Sequence, residues 1–163
     1  KIIIAATAPS KTFNIAGLTS SMVLIPDEDM REVYSKVSQS LSIGLLNIFG
    51  LTAIEAAYKH GEEWLEEVMS YIEDNFDYMI SFIKENMPNA KCRKPEATYL
   101  GWLDFRKIFT KQDELDDYLI NRAKVALNSG ITFGKKGEGF VRINLGCPRT
   151  ILEEALKRIK NAL

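Results

Sequence analysis

Lys11 stands in the segment TAPSKTFNIAG, directly after the apolar run IIIAA, with Ser10 before it and Thr12 after it. An amine condenses with a carbonyl only in its uncharged form, and burial against apolar walls favours that form. A lysine at the end of an apolar strand has such walls close by along the chain. The chemistry open to it is a Schiff base to a carbonyl cofactor, then proton shuttling once a substrate amine displaces it. The Ser10 hydroxyl could donate a hydrogen bond to a cofactor phosphate. Asn14 is near enough to line such a site, and serves a turn equally well. The alternative is an ordinary solvated loop lysine, for which Ser-Lys-Thr needs no special setting.

The second candidate is Arg142, in FVRINLG. Period-two alternation puts Val141, Ile143 and Leu145 on one face of a strand and Phe140, Arg142 and Asn144 on the other. An arginine there either reaches water or pairs with an anion. Its planar fork matches a carboxylate through two parallel hydrogen bonds. Arg149, in CPRT, is a weaker candidate, since an arginine beside a helix start is more often structural.

Other groups carry less. GKKGEG lacks the Gly-Lys-Ser/Thr ending of a phosphate loop and reads as a hairpin turn. His60, the only histidine, ends a helix, where its ring complements the dipole. No His/Cys/Asp cluster suggests a metal site. Tyr99 and Trp102 read as core.

The elements that must hold these groups follow from pattern. Ile2 to Ala6 reads as a short buried strand, Thr7 to Ser21 as a loop, and MVLIP as a second strand stopped by Pro26. A helix opens on the acids of DEDM and runs to about Ser40, and another runs from Leu45 to about His60. Beyond Gly61, the residues Trp64, Val68, Ile72, Phe76, Met79 or Ile80, and Ile83 share one face of a helix stopped by Pro88. Then come a strand in TYLGWLDF, an amphipathic helix over QDELDDYLINRAKVAL, and two short strands around a glycine-rich turn in GITFGKKGEGFVRINLG. A closing helix, TILEEALKRIKNAL, carries a capping box from Thr150 to Glu153.

The sequence has 163 residues, enough for one domain or slightly more, with 46% hydrophobic and 26% charged residues. A formal charge of −1 excludes a global field that would attract nucleic acid or an anionic membrane. LLNIFGLTAIEAA is too short and too polar to span a bilayer. Cys92 and Cys147 make no disulfide framework, which fits a reduced, cytoplasmic protein. The opening at Lys1, without Met, fits a segment of a longer protein.

TAPSKTFNIAGL closely resembles the cofactor-lysine segment of fold-type-I pyridoxal-5′-phosphate enzymes of the class I/II aminotransferase superfamily. It is most similar to the branch of bacterial cystathionine beta-lyases and cysteine-S-conjugate C–S lyases. The likeness continues in the family's order through HGEEWLEEVMSYIEDN, EATYLGWLDFR and GFVRINLGCPRTILEEAL. The resemblance implies an α/β fold, with residues 1–60 ending the large cofactor-binding domain, 61–87 forming a connecting helix, and 88–163 a small α+β C-terminal domain. It implies pyridoxal 5′-phosphate as cofactor, Lys11 as its covalent anchor and proton carrier, and Arg142 as the grip on the substrate's α-carboxylate. Relatives often place a hydroxyl residue three positions before the lysine and an arginine eight after it, both on the phosphate. Ala8 and Thr19 stand at those positions here, which leaves Ser10 or groups outside the chain.

The implied reaction is β-elimination of a thiolate from L-cystathionine or a related cysteine S-conjugate. The alternatives are amino transfer from an L-amino acid and a non-catalytic, aminotransferase-like regulatory domain. A plain interaction domain would leave Lys11 exposed. The resemblance also implies a homodimer, with the family's pyridinium partner, ring-stacking aromatic and main phosphate loop preceding the lysine. This segment alone is therefore expected to be inactive.

Overall fold

In the structure, a computed structural model, residues 3–44 and 48–163 are described. The chain divides into two compact units, Lys1–Val68 and Met69–Leu163.

In the first unit, β1 (Ala5–Thr7) pairs antiparallel with β2 (Met22–Leu24), in the register Ala5↔Leu24 and Thr7↔Met22. Of the strand expected over Ile2 to Ala6, Ile2 lies outside the described residues; the strand observed is shorter, reaches Thr7, and has all three residues exposed rather than buried. Two three-residue strands make too small a sheet to bury a face, and Ile3 and Ile4 remain more than half exposed. Helix α1 (Glu28–Ser40) begins where expected, because Asp27 caps it by accepting from Met30 N at 2.9 Å. Helix α2 (Ile48–His60) ends at the expected histidine; its expected start, Leu45 to Asn47, lies outside the described residues. Its apolar stripe is only partly covered: Ile48 is 73% exposed, Ile54 and Ala57 are half-buried, and Gly50, against the Leu18–Ser20 turn, is its one buried residue.

The second unit holds the core. Helix α3 (Glu62–Asn86) runs through the division, and its stripe of Phe76, Met79 and Ile83 is buried as the periodicity requires. The four-stranded antiparallel sheet has the order β3-β4-β6-β5, from β3 (Lys91–Cys92), β4 (Leu100–Asp104), β5 (Asn128–Ser129) and β6 (Phe140–Asn144). Leu103, Val141 and Ile143 face inward, with α3 residues and Leu152, Leu156 and Ile159 of the last helix in the same cluster. Trp102, expected in the core, projects from the opposite sheet face and is 36% exposed, since strand alternation sets it between the buried Gly101 and Leu103.

Two helices depart from the pattern. The amphipathic stretch expected to run from Gln112 to Leu127 is helical only as α4 (Gln112–Asp117), then widens into a π-turn over Tyr118–Arg122. Lys124 closes it in the left-handed region at φ 57°, with Val125 N bonded back to Leu119 O at 2.9 Å. The final helix, α5 (Arg149–Ala162), does not use the Thr150–Glu153 capping box. Pro148 is the N-cap, and Arg149 N–H donates at 2.7 Å to the Tyr71 hydroxyl of α3, so a tertiary contact takes the place of a local cap.

Among the described residues no helix is long and apolar enough to cross a membrane.

Candidate active site

Lys11 lies in a compact turn after β1. Phe13 N–H donates to Pro9 O and Ile15 N–H to Ser10 O, each at 3.0 Å, and Asn14 takes a left-handed φ of 55°. Pro9 is buried and Ser10 half-buried. The turn is anchored by Phe13, whose ring stacks on Trp64 at 6.3 Å and meets Tyr58 edge-on at 5.7 Å. Gly61 makes this possible: a Cβ there would sit 2.7 Å from the Phe13 ring. Sequence reading missed Phe13, although an aromatic two residues beyond the lysine was its visible signal.

Lys11 itself is exposed. The dry setting expected from IIIAA is absent among its described residues, because the short β1–β2 pair leaves Ile3, Ile4, Ala5 and Ala6 open to solvent. The amine has no hydrogen bond or ion pair among the described residues, so no carboxylate competes for it. Ser10 Oγ is likewise without a partner among them.

Arg142 lies on β6 with the alternation expected. Val141 and Leu145 are fully buried and Ile143 is 4% exposed, while Arg142 is half-buried on the outer face. In register it stands opposite Trp102 of β4 on one side and Asn128 of β5 on the other. Its Nη2 donates to Asn128 Oδ1 at 3.0 Å, and its guanidinium carbon lies 4.7 Å from the Phe133 ring centroid. Nε is buried without a partner among the described residues, and no carboxylate there lies within ion-pair distance of the guanidinium. An arginine held by neutral groups and an aromatic face keeps its charge for an incoming anion.

On the same face, Asp104 is engaged with Arg106 by Nε and Nη2 bonds of 2.9 and 2.8 Å. Those bonds hold the Asp104 carboxyl below its usual range. Arg106 also covers Phe140 at 4.5 Å. Arg149 Nε donates to Asn75 Oδ1 and its guanidinium covers Tyr78. GKKGEG is no tight hairpin. The residues between β5 and β6 form two 3₁₀ turns, Gly130–Phe133 and Lys135–Gly137.

Lys11 belongs to the first unit and Arg142 to the second. The sequence did not single out Asn75, Asn128 or Phe133. Only Asn75 left a trace, as a polar residue bordering the apolar stripe of α3.

No family model matches the chain. Among solved structures, a PLP-bound protein from Clostridium difficile 630 matches with a TM-score of 0.92 at 51% identity, over 98% of this chain and 41% of that one. Cystalysin from Treponema denticola, whose crystal structure contains a pyridoxal 5′-phosphate cofactor, matches with a TM-score of 0.91 at 36% identity, over 98% and 40%. The chain therefore has the α/β, fold-type-I architecture of pyridoxal-phosphate-dependent, aminotransferase-fold proteins. Cystathionine beta-lyase PatB of Bacillus subtilis is 44% identical over 162 residues, 99% of this chain and 42% of that protein. Over its whole length the chain is similar in sequence to this cystathionine beta-lyase, and it spans 42% of the length of PatB.

Proposed function

We propose that the chain is part of a pyridoxal-phosphate-dependent carbon–sulfur β-lyase that cleaves L-cystathionine or related cysteine S-conjugates. The observation that carries this reading is the 44% identity to a cystathionine beta-lyase across 99% of the chain. The donor set fits the cofactor: an amine with no ion-pair partner among the described residues, next to a hydroxyl with a free side chain, on a turn braced by Phe13. In this reading residues 1–60 end the large cofactor-binding domain, 61–87 form the connecting helix, and 88–163 are the small C-terminal domain.

When bound, pyridoxal phosphate supplies an electron sink for negative charge developing at the substrate's Cα. Lys11 Nζ would hold the cofactor at its aldehyde carbon, and the Ser10 hydroxyl would donate toward its phosphate. As a free amine, Lys11 Nζ would take the substrate's Cα proton. Arg142 holds the α-carboxylate, which fixes the direction of the Cα–H bond relative to that base. The electron pair left at Cα expels the thiolate from Cβ. With one water consumed, the products are a thiol, pyruvate and ammonia.

The activity belongs to the longer protein, since exposed Lys11 lacks the apolar walls that the chemistry requires; we expect the 163-residue segment alone to show no stable cofactor absorbance band. We place the protein in a reduced cytoplasm, supported by two free cysteines. We read it as a homodimer, supported by uncovered apolar side chains such as Phe49, 74% exposed.

The test is borohydride reduction of the holoenzyme containing this chain, followed by peptide mapping, with a parallel assay of pyruvate release from L-cystathionine. Cofactor fixed on Lys11 and pyruvate formed without a 2-oxo acid are expected. A label on another lysine, or turnover only with a 2-oxo acid acceptor, would overturn the reading.

A further inference from the structure

We propose that the glycine-rich loop from Gly130 to Gly139 is a device for aiming Arg142, in which the Phe133 ring and the Asn128 amide fix the guanidinium so that its terminal nitrogens meet the substrate's carboxylate. This rests on the reading of Arg142 as the carboxylate grip.

Phe133 is 52% exposed, so burial does not account for an aromatic at this position. Its contacts do. The ring lies under the Arg142 guanidinium at 4.7 Å and meets Trp102 edge-on at 5.5 Å. Trp102 in turn stacks on Phe140 at 5.6 Å with 24° between the rings. Three aromatic side chains thus form a connected layer with the arginine on it. An exposed cation–aromatic contact is weak in itself, but it removes the guanidinium's freedom to tilt.

The loop is built to present that ring. Gly130 and Gly137 press together so tightly that a Cβ on Gly137 would lie 2.0 Å from Gly130 O, and one on Gly130 would lie 2.1 Å from Gly137 O. Thr132 Oγ1 donates to Ser129 O at 2.7 Å and Gly134 N–H to Ile131 O at 3.0 Å, which closes the turn on both sides of Phe133. The lysines of GKKGEG are exposed and take no part. The glycines therefore answer to a steric demand rather than to a phosphate.

The second restraint is rotational. Asn128 stands opposite Arg142 in the β5–β6 register and accepts one Nη2 hydrogen at 3.0 Å. Nε is buried without a partner among the described residues. The hydrogens that remain for an anion are on the two terminal nitrogens, so a carboxylate is met end-on.

The experiment uses the holoenzyme containing this chain, with the variants Phe133→Ala, Phe133→Leu, Phe133→Tyr and Arg142→Ala. KM and kcat are measured for an S-substituted L-cysteine, together with the inhibition constant of its carboxamide, which lacks the carboxylate. Phe133→Ala and Phe133→Leu are expected to raise KM about tenfold, equivalent to about 1.4 kcal/mol, with kcat held within about twofold. The carboxamide constant should be unchanged, and Phe133→Tyr should restore KM. A wild-type KM in Phe133→Leu, or an equal loss for acid and carboxamide, overturns the proposal. If Phe133→Ala does not fold, the Leu and Tyr variants decide alone. Arg142→Ala separates the two levels: an unchanged KM refutes the carboxylate grip itself, whereas a raised KM beside silent Phe133 variants refutes only the aiming device.

Discussion

Asn75 Oδ1 accepts a hydrogen bond from Arg149 Nε at 2.7 Å, while its Nδ2 donates to Leu145 O at 2.9 Å and Cys147 O at 3.0 Å. One fully buried side chain on α3 therefore holds the turn that leads from β6, the strand of Arg142, into α5. Both ends of the amide are used, which is what a buried polar group requires.

Asn75→Ala would strand two backbone carbonyls and a guanidinium edge inside the protein. The expected loss is about 2–4 kcal/mol of stability, read as a lower midpoint in urea. A loss under about 0.5 kcal/mol would mean that water replaces the amide at no cost.

Thr98 has a φ of 77°, a region that a β-branched residue occupies only under strain. It lies in the bend between β3 and β4. Thr98→Gly should raise the urea midpoint by the equivalent of about 1 kcal/mol, the strain relieved exceeding the entropy added to the unfolded chain. A lower midpoint would show that the threonine side chain contributes more than its backbone costs.

Tyr118 is 1% exposed, and its hydroxyl donates to Ile159 O on α5. Burial pushes the phenol up from 10.0 to about 12, with Arg122 opposing the shift. A folded-state value above the unfolded one means that this contribution to stability is fully present below pH 10.0 and is lost as pH rises through about 12. Absorbance titration at about 295 nm should show a late tyrosine step that Tyr118→Phe abolishes. Unchanged late titration in that variant would assign the step elsewhere.

Lys11→Ala should abolish covalent retention of the cofactor and lower kcat at least about 10³-fold in the holoenzyme, because one amine serves as both anchor and base. A small exogenous amine should recover part of the proton-transfer rate. Near-normal turnover in the variant would remove Lys11 from the chemistry.

Part of this molecule was legible from one-dimensional pattern. The stripe of α3 and the alternation Val141, Ile143, Leu145 announce themselves because burial on one face imposes a fixed period on the chain. Where the pattern misled, a partner distant in sequence intervened. The helix after Gln112 widens at Tyr118, whose hydroxyl reaches α5, and α5 takes its first cap from Tyr71 rather than from Glu153. Ile3 and Ile4 failed differently: their composition asks for burial, and two short strands cannot provide it.

By itself, the sequence determined the long helix α3, the strand of Arg142, the similarity to a cystathionine beta-lyase, and the candidate residue types, an amine in TAPSKTF and a guanidinium in FVRIN. Such properties are written in neighbours a few residues apart. Tertiary structure alone decided what surrounds those groups: Phe133 and Asn128 about Arg142, Phe13 on Trp64 behind the lysine turn, and Asn75 beneath the turn after β6. Those partners meet only once strands and helices have packed, since hydrogen-bond and ring geometry depends on ångström-scale positions that no local periodicity encodes.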